Sequence, residues 1–211
     1  MSILVEIGEA LEKGKRKLVL EYVQKALDEG IAPQTILTEG LLPGMDRVGV
    51  KFRDNEIFVP EVLVAARAMG AGTELLKPLL AEGEGSSLGT AVIGTVKGDL
   101  HDIGKNLVKL MLEGRGFEVI DLGVDVAPET FVKTAVEQNC DIIGCSALLT
   151  TTMGAMGEVV RLAEEAGIRD KVKIMVGGAP VDQRFCDTIG ADTYTRDAAS
   201  AADAAVAHVN K

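Results

Sequence analysis

The 211-residue sequence predicts an α/β chain, with a helical N-terminal half followed by a doubly wound, five-stranded parallel sheet. Three observations predict it. The first eighty residues carry apolar positions only at helical spacing. From residue 90 onward, short strand-like runs alternate strictly with helical stretches. Between the two patterns lies EGEGSSLG at 82–89, small and flexible, so the expected domains are 1–85 and 90–211.

In chain order, residues 16–29 place Val19, Leu20, Val23, Ala26 and Leu27 on one helical face, and Gly30 ends the run. Ala32-Pro33 opens a further helix, which Pro43-Gly44 is expected to bend or interrupt before Met45 and Val48. A long helix is expected over 59–80, with Pro60 in its first turn. Four short helices around one core is the arrangement these patterns imply. The second half reads TAVIGTV (90–96), FEVIDLG (117–123), DIIGCSA (141–147), VKIMVGG (172–178) and DTYTRD (192–197) as strands. Helices are expected between and after them at 104–113, 128–138, 152–166, 181–189 and 198–209. Strands apolar on both faces and alternating with helices mean a parallel sheet covered on both sides. Ligands of such sheets collect at the carboxyl ends of the strands.

Composition excludes several classes. A net charge of −10 repels phosphate backbones, so nucleic acid is not an expected partner. No apolar run is long enough to cross a bilayer, and the first residues do not read as a signal peptide, so no membrane association is expected. Three cysteines, Cys140, Cys145 and Cys186, form neither a paired framework nor a CxxC motif, which points to a reducing cytoplasm.

The stretch VKGDLHDIGKNLV (96–108) carries the chemistry. It leaves the first strand, so His101 stands at the ligand edge of the sheet with Asp99 two residues before it. A zinc site is disfavoured because no second histidine or cysteine lies at ligand spacing. A phosphate loop is disfavoured because the glycine-lysine order is missing and Asp99 and Asp102 repel anions. A single imidazole can still supply an axial ligand to a metal already held in a macrocycle, with a carboxylate fixing its tautomer.

Asp99-Leu100-His101-Asp102-Ile103-Gly104 matches the Asp-x-His-x-x-Gly signature of cobalamin-binding domains, whose fold is Rossmann-like (flavodoxin-like). CSALLTTTM (145–153) resembles that family's Ser-x-Leu segment, VGGAP (176–180) its Gly-Gly turn and TRDAA (195–199) its final segment. The resemblance implies that His101 is the axial cobalt ligand, displacing the cofactor's own dimethylbenzimidazole, and that the nucleotide tail enters a deep slot. The cofactor-binding residues it implies are Gly98, Asp99, Leu100, His101, Asp102, Ile103 and Gly104, with Ser146, Leu148, Thr150, Thr152, Gly177, Gly178 and Ala198. Gly177 and Gly178 would let backbone approach a ring or ribose, and Ser146 and Thr150 would offer hydroxyls to the tail. Thr152 stands where methionine synthase has the serine of a histidine–aspartate–serine relay.

The N-terminal segment GLLPGMDRVGVKFRDNEIFVPEVLVAARAM (40–69) resembles the helical cap over the cofactor of methionine synthase and of corrinoid methyl-transfer proteins. Phe58, Val62, Ala65 and Met69 fall on one helical face, which is expected either to lie over the corrin or to form bundle core. The function implied is a corrinoid methyl carrier, not catalytic alone. It would take a methyl group on cobalt(I) from a donor-specific methyltransferase and pass it to an acceptor methyltransferase using tetrahydrofolate or a thiol. Methylamine, methanol and aryl methyl ethers (O-demethylation) are the donor classes implied, and a reductive activase is a further partner. A cobalamin sensor or storage protein and a mutase small subunit are the alternatives.

Overall fold

The computed structural model describes residues 2–80 and 87–210. Residues 82–86 of the expected linker lie outside the described residues. The chain divides into two compact units, Met1–Ser87 with Gly114–Gly116, and Leu88–Glu113 with Phe117–Lys211.

The first unit is all helical: α1 (Ile3–Glu12), α2 (Arg16–Asp28), α3 (Pro33–Thr35), a π-helical segment (Ile36–Leu41), α4 (Leu42–Arg53), α5 (Val59–Leu76) and a closing 3₁₀ turn (Lys77–Leu79). Ile7, Leu11, Val19, Val23, Ile36, Leu41, Met45 and Val48 form its buried interior. Glu12 of α1 pairs with Arg47 of α4 at 2.8 Å and with Lys51, tying those helices together.

Two expectations are corrected here. Of the bend or interruption expected at Pro43-Gly44, the interruption does not occur: the second helical stretch runs from Pro33 through Arg53 by way of the π segment. A proline ring collides with the carbonyl four residues back, and a wider i→i+5 turn just ahead of Pro43 relieves the collision without ending the helix. The long helix stops at Leu76 rather than residue 80, because Pro78 cannot donate to the turn before it and the chain tightens to 3₁₀. Of the cap stripe, Val62, Ala65 and Met69 are buried along α5, while Phe58 is 64% exposed just ahead of it.

The second unit alternates β1 (Thr90–Thr95), α6 (Ile103–Gly114), β2 (Glu118–Asp121), α7 (Pro128–Glu137), β3 (Ile142–Ser146), α8 (Gly154–Glu165), β4 (Lys173–Gly177), α9 (Gln183–Ile189), β5 (Thr193–Tyr194) and α10 (Ala198–Val209). All strand pairs are parallel, in the order β2-β1-β3-β4-β5. This is the doubly wound, Rossmann-like α/β fold. The fifth strand is shorter than the expected 192–197, since Asp197 already caps α10 by accepting from the Ser200 amide. Helix α8 begins at Gly154 rather than residue 152, and α9 at Gln183 rather than residue 181.

The strand order reverses between β1 and β3, so the crevice outside their carboxyl ends is the switch point of the sheet. Register places Thr95 beside Ser146 and Ser146 beside Gly177 at that edge. Beneath it, Val92, Ile143, Ile174, Phe131 and Met156 pack as a closed core. The three cysteines are buried and unbridged. Burial pushes the Cys140 thiol up to about 11 and the Cys145 thiol up to about 12. Among the described residues, no helix is long and apolar enough to cross a membrane.

Candidate functional site

The loop between β1 and α6 is built around one buried carboxylate. Asp99 has no exposed side-chain surface, although it lies on a connecting loop. An ionised group so placed must be fully hydrogen-bonded. Its Oδ1 accepts from the His101 amide at 3.1 Å and lies 2.7 Å from His101 Nδ1. Its Oδ2 accepts from the Leu148 amide at 2.7 Å, the Leu149 amide at 3.1 Å and the Thr152 hydroxyl at 3.0 Å. Burial alone would push this carboxyl up. The His101 ring and the amides of Leu148, His101 and Leu149 outweigh it and hold Asp99 well below the usual carboxylate range.

An ionised Asp99 can only accept, so Nδ1 of His101 carries a proton, and in the neutral ring that leaves the lone pair on Nε2. His101 is 53% exposed, which leaves Nε2 accessible as a metal ligand. The Thr95 hydroxyl donates to the His101 carbonyl at 2.8 Å, fixing the backbone beneath the ring. Asp102 opens α6, accepting from the Asn106 amide at 2.8 Å and from its side chain at 3.0 Å.

Around the imidazole the surface is apolar. Leu100 is 71% exposed, Ile103 74%, Leu148 43% and Leu149 41%. Leucine and isoleucine at that exposure, gathered at one sheet edge, mark a binding surface. Nothing approaches the position that a β-carbon of Gly104 would take, so the first turn of α6 is bare on that side. Gly98, at φ +83°, makes the sharp bend that turns the loop.

The remaining residues singled out in the sequence fall into three places. Asp99 and Thr152 join the β1 loop to the segment after β3, which also carries Leu148 and the exposed Thr150. Ser146 and Gly177 are register partners at the strand ends. Gly178 has a packing reason of its own: at φ +131° a β-carbon there would lie 1.8 Å from the Ala147 carbonyl oxygen. Its bareness admits neighbouring backbone, whatever else approaches it. Ala198 begins α10 beyond β5 and is buried.

Sequence reasoning missed Thr95, Lys97, Asp125 and Leu149. Lys97 pairs with Asp125 at 3.1 Å, and Asp125 Oδ1 accepts from the Gly98 amide at 2.8 Å. Gly98 hydrogen bonding, then Lys97, draws the Asp125 carboxyl down. Their signal was weak, because the partners are 28 and 27 residues apart in sequence. Lys105, 4% exposed, is a further buried charge. It pairs with Asp121 at 2.6 Å, anchoring α6 to the end of β2.

Comparison with known proteins places this geometry. A B12 binding domain profile matches residues 89–207, and a second B12 binding domain profile matches residues 3–77. The dimethylamine corrinoid protein of Methanosarcina barkeri is 48% identical over 200 residues, covering 94% of this chain and 93% of that protein. Among solved structures, the methanol:cobalamin methyltransferase complex of Methanosarcina barkeri matches with a TM-score of 0.88 at 33% identity, over 99% of this chain and 80% of that one. A cobalamin-binding protein from Desulfitobacterium hafniense matches with a TM-score of 0.83 at 32% identity, over 97% of this chain and 98% of that one. The first profile alone spans over half of the sequence, so the chain belongs to the B12-binding corrinoid proteins of methyltransferase systems, and its cofactor is a corrinoid.

Proposed function

We propose that this protein is a methyl carrier working between two methyltransferases in a reducing cytoplasm. The observation that carries this reading is the alignment of Thr152, Asp99 and His101, which leaves one imidazole nitrogen facing outward from an apolar sheet edge. The residues fit a corrinoid. A flat metal-bearing macrocycle with a polar, amide-bearing periphery would need one nitrogen donor from the protein and apolar contacts for the ring itself. His101 supplies the first; Leu100, Ile103, Leu148 and Leu149 supply the second. When bound, the corrinoid supplies a cobalt centre able to accept and release a methyl group. The chain's own part is to hold Nε2 in position, through an Asp99 that accepts a hydrogen bond from Nδ1–H and is itself held by three amides and a hydroxyl. We assign the nucleotide tail to the strand ends bearing Ser146, Thr150, Gly177, Gly178 and Ala198.

Donor chemistry resides in a partner protein on this reading. Among the described residues there is no group of three or more metal-ligating side chains. The 48% identity with a dimethylamine corrinoid protein favours a methylamine as the donor, delivered by a donor-specific methyltransferase. An acceptor methyltransferase and a reductive activase complete the system.

The test uses protein reconstituted with cobalamin. Electron paramagnetic resonance of the cobalt(II) form should show coupling to one imidazole nitrogen, lost in His101→Ala. Unchanged coupling in that variant would remove His101 from its role. Reduced holoprotein mixed with dimethylamine should keep its cobalt(I) absorption until a dimethylamine methyltransferase is added. Loss of that absorption without a second protein would make this chain itself the methyltransferase.

A further inference from the structure

The loop that carries His101 is held at three points. Its far end is held by the Thr95 hydroxyl on the His101 carbonyl at 2.8 Å. Its middle is held by the buried Asp99 carboxylate. Its outward bend, at Lys97 and Gly98, is held from a different connection, the turn after β2. There Asp125 Oδ1 accepts from the Gly98 amide at 2.8 Å, its carboxylate lies 3.1 Å from Lys97 Nζ, and its own amide donates to the Asp99 carbonyl at 2.9 Å. The same turn is laced to the end of β1, with Thr95 donating to the Gly123 carbonyl at 2.9 Å and Val126 to the Thr95 carbonyl at 3.0 Å.

The backbone of that turn limits which residues can stand at position 125. Asp125 adopts φ +54°, a left-handed conformation that glycine enters freely and that aspartate and asparagine tolerate better than other residues with a β-carbon. Two residues earlier the same turn adopts φ +84° with a glycine, Gly123. Glycine would relax position 125 equally well, and an aspartate stands there whose carboxylate bridges to the neighbouring loop. Aspartate is thus one of the few residues that both fits this bend and brings a carboxylate to the Gly98 amide and Lys97.

We propose that Asp125 is a positioning residue for His101: its carboxylate clamps the Gly98 bend, and through it sets where the imidazole stands above the sheet edge. The proposal rests on the reading of His101 as the cobalt ligand. Removing the clamp leaves the Gly98 amide unpaired and frees the loop between its other two anchors. Losing a hydrogen bond of this kind shifts an equilibrium by roughly three- to tenfold.

Three variants separate the carboxylate from the backbone. Asp125→Gly removes the acceptor while tolerating the positive φ. Asp125→Ala removes it and adds strain. Asp125→Asn keeps an oxygen for the Gly98 amide and also tolerates the left-handed conformation. In cobalt(II) holoprotein, the ratio of imidazole-bound to unbound cobalt should fall about three- to tenfold in both the Gly and Ala variants, and stay within about twofold of wild type in the Asn variant. In cofactor-free protein, hydrogen exchange at the Gly98 amide should speed up by a similar factor in the Gly and Ala variants alone, with the sheet amides unchanged. A wild-type ratio in both truncated variants overturns the proposal. So does an Asn variant as impaired as the Gly variant, or an Ala variant impaired while the Gly variant is normal, which would leave strain as the cause. Faster exchange at Gly98 without a change in ligation would confine Asp125 to loop stability and equally sink the idea. If His101→Ala left the imidazole coupling intact, the ligand assignment would fail, while exchange at Gly98 and its rescue by asparagine would still decide the clamp.

Discussion

Asp99 receives donors on both oxygens, and this sets what its replacement does. An asparagine offers one oxygen and one amide group, so either orientation points its N–H bonds at donors: the two His101 donors, or Leu148, Leu149 and Thr152. Asp99→Asn should therefore weaken histidine ligation about 10–100-fold, the usual loss for a partner behind a metal ligand. It should also destabilise the α/β unit by about 1–3 kcal/mol per unpaired donor, since those donors stay buried. The cobalt(II) imidazole signal reads the first effect and thermal unfolding the second. Thr152 divides its own roles in the same way. Its hydroxyl has one proton and two acceptors, Asp99 at 3.0 Å and the Leu149 carbonyl at 2.8 Å. Its methyl lies beside Gly98, 3.4 Å from where a β-carbon would stand. Thr152→Val keeps the shape and loses the donor, so protons should displace the histidine from cobalt at a pH about half to one unit higher. Thr152→Ser keeps the donor and should titrate like wild type. Visible spectra over a pH series compare the three.

At the scale of elements, the end of β3 and the end of β4 come together more tightly than side chains allow. Gly178→Ala would drive a β-carbon to 1.8 Å from the Ala147 oxygen and impose φ +131° on an alanine. The Ala147 amide donates to Gly177 at 3.1 Å, so the rungs nearest the crevice would part. We expect a loss of about 3 kcal/mol or more, measured by denaturant unfolding, with corrinoid retention falling alongside. Strands β1 to β4 were legible because each is a short, largely apolar run between helical stretches, and all four fall inside their expected ranges. What the sequence pattern could not register was local geometry that depends on two prolines. Pro43 widens the turn ahead of it instead of breaking the helix, and Pro78 tightens the turn it sits in. A periodicity of 3.6 cannot distinguish α, π and 3₁₀ spacing over so few residues. The helix Ile3–Glu12 had no boundary of its own in the pattern, since its apolar residues run into Glu6 and Glu9 without a capping signal. The Asp99–His101 pair could be read because it is local. The Asp125 clamp could not, because only the sheet order brings residues 98 and 125 together.

For the molecule as a whole, the acidic groups predict how it fails at low pH. In the α/β unit, burial pushes Asp99, Asp121 and Asp192 up, but their donors and cationic partners outweigh it and leave each below its ordinary value of 3.8. A carboxyl lowered by folding contributes stability that is complete above its unfolded pKa and lost as pH falls through its folded one. Glu113 runs the other way: burial raises it, so its contribution improves slightly as it takes up a proton. Thermal unfolding should then hold nearly level from pH 7 to about 5 and drop progressively below about 4. An Asp99→Asn variant should show a shallower fall over the same range. A profile that collapsed already between pH 7 and 5 would contradict this balance.

The buried cysteines bear on a hazard particular to the proposed work. A protein that hands on an electrophilic methyl group exposes its own nucleophiles to alkylation, and a thiolate is the most reactive of them. With thiols held up to about 11 and about 12, Cys140 and Cys145 are ionised at neutral pH in only ~1 molecule in 10,000 or fewer. Burial also pushes the Cys186 thiol up. These three thiols are thereby kept from competing for the methyl group. Iodoacetamide at neutral pH should leave all three cysteines unlabelled in the native protein and label all three in denaturant.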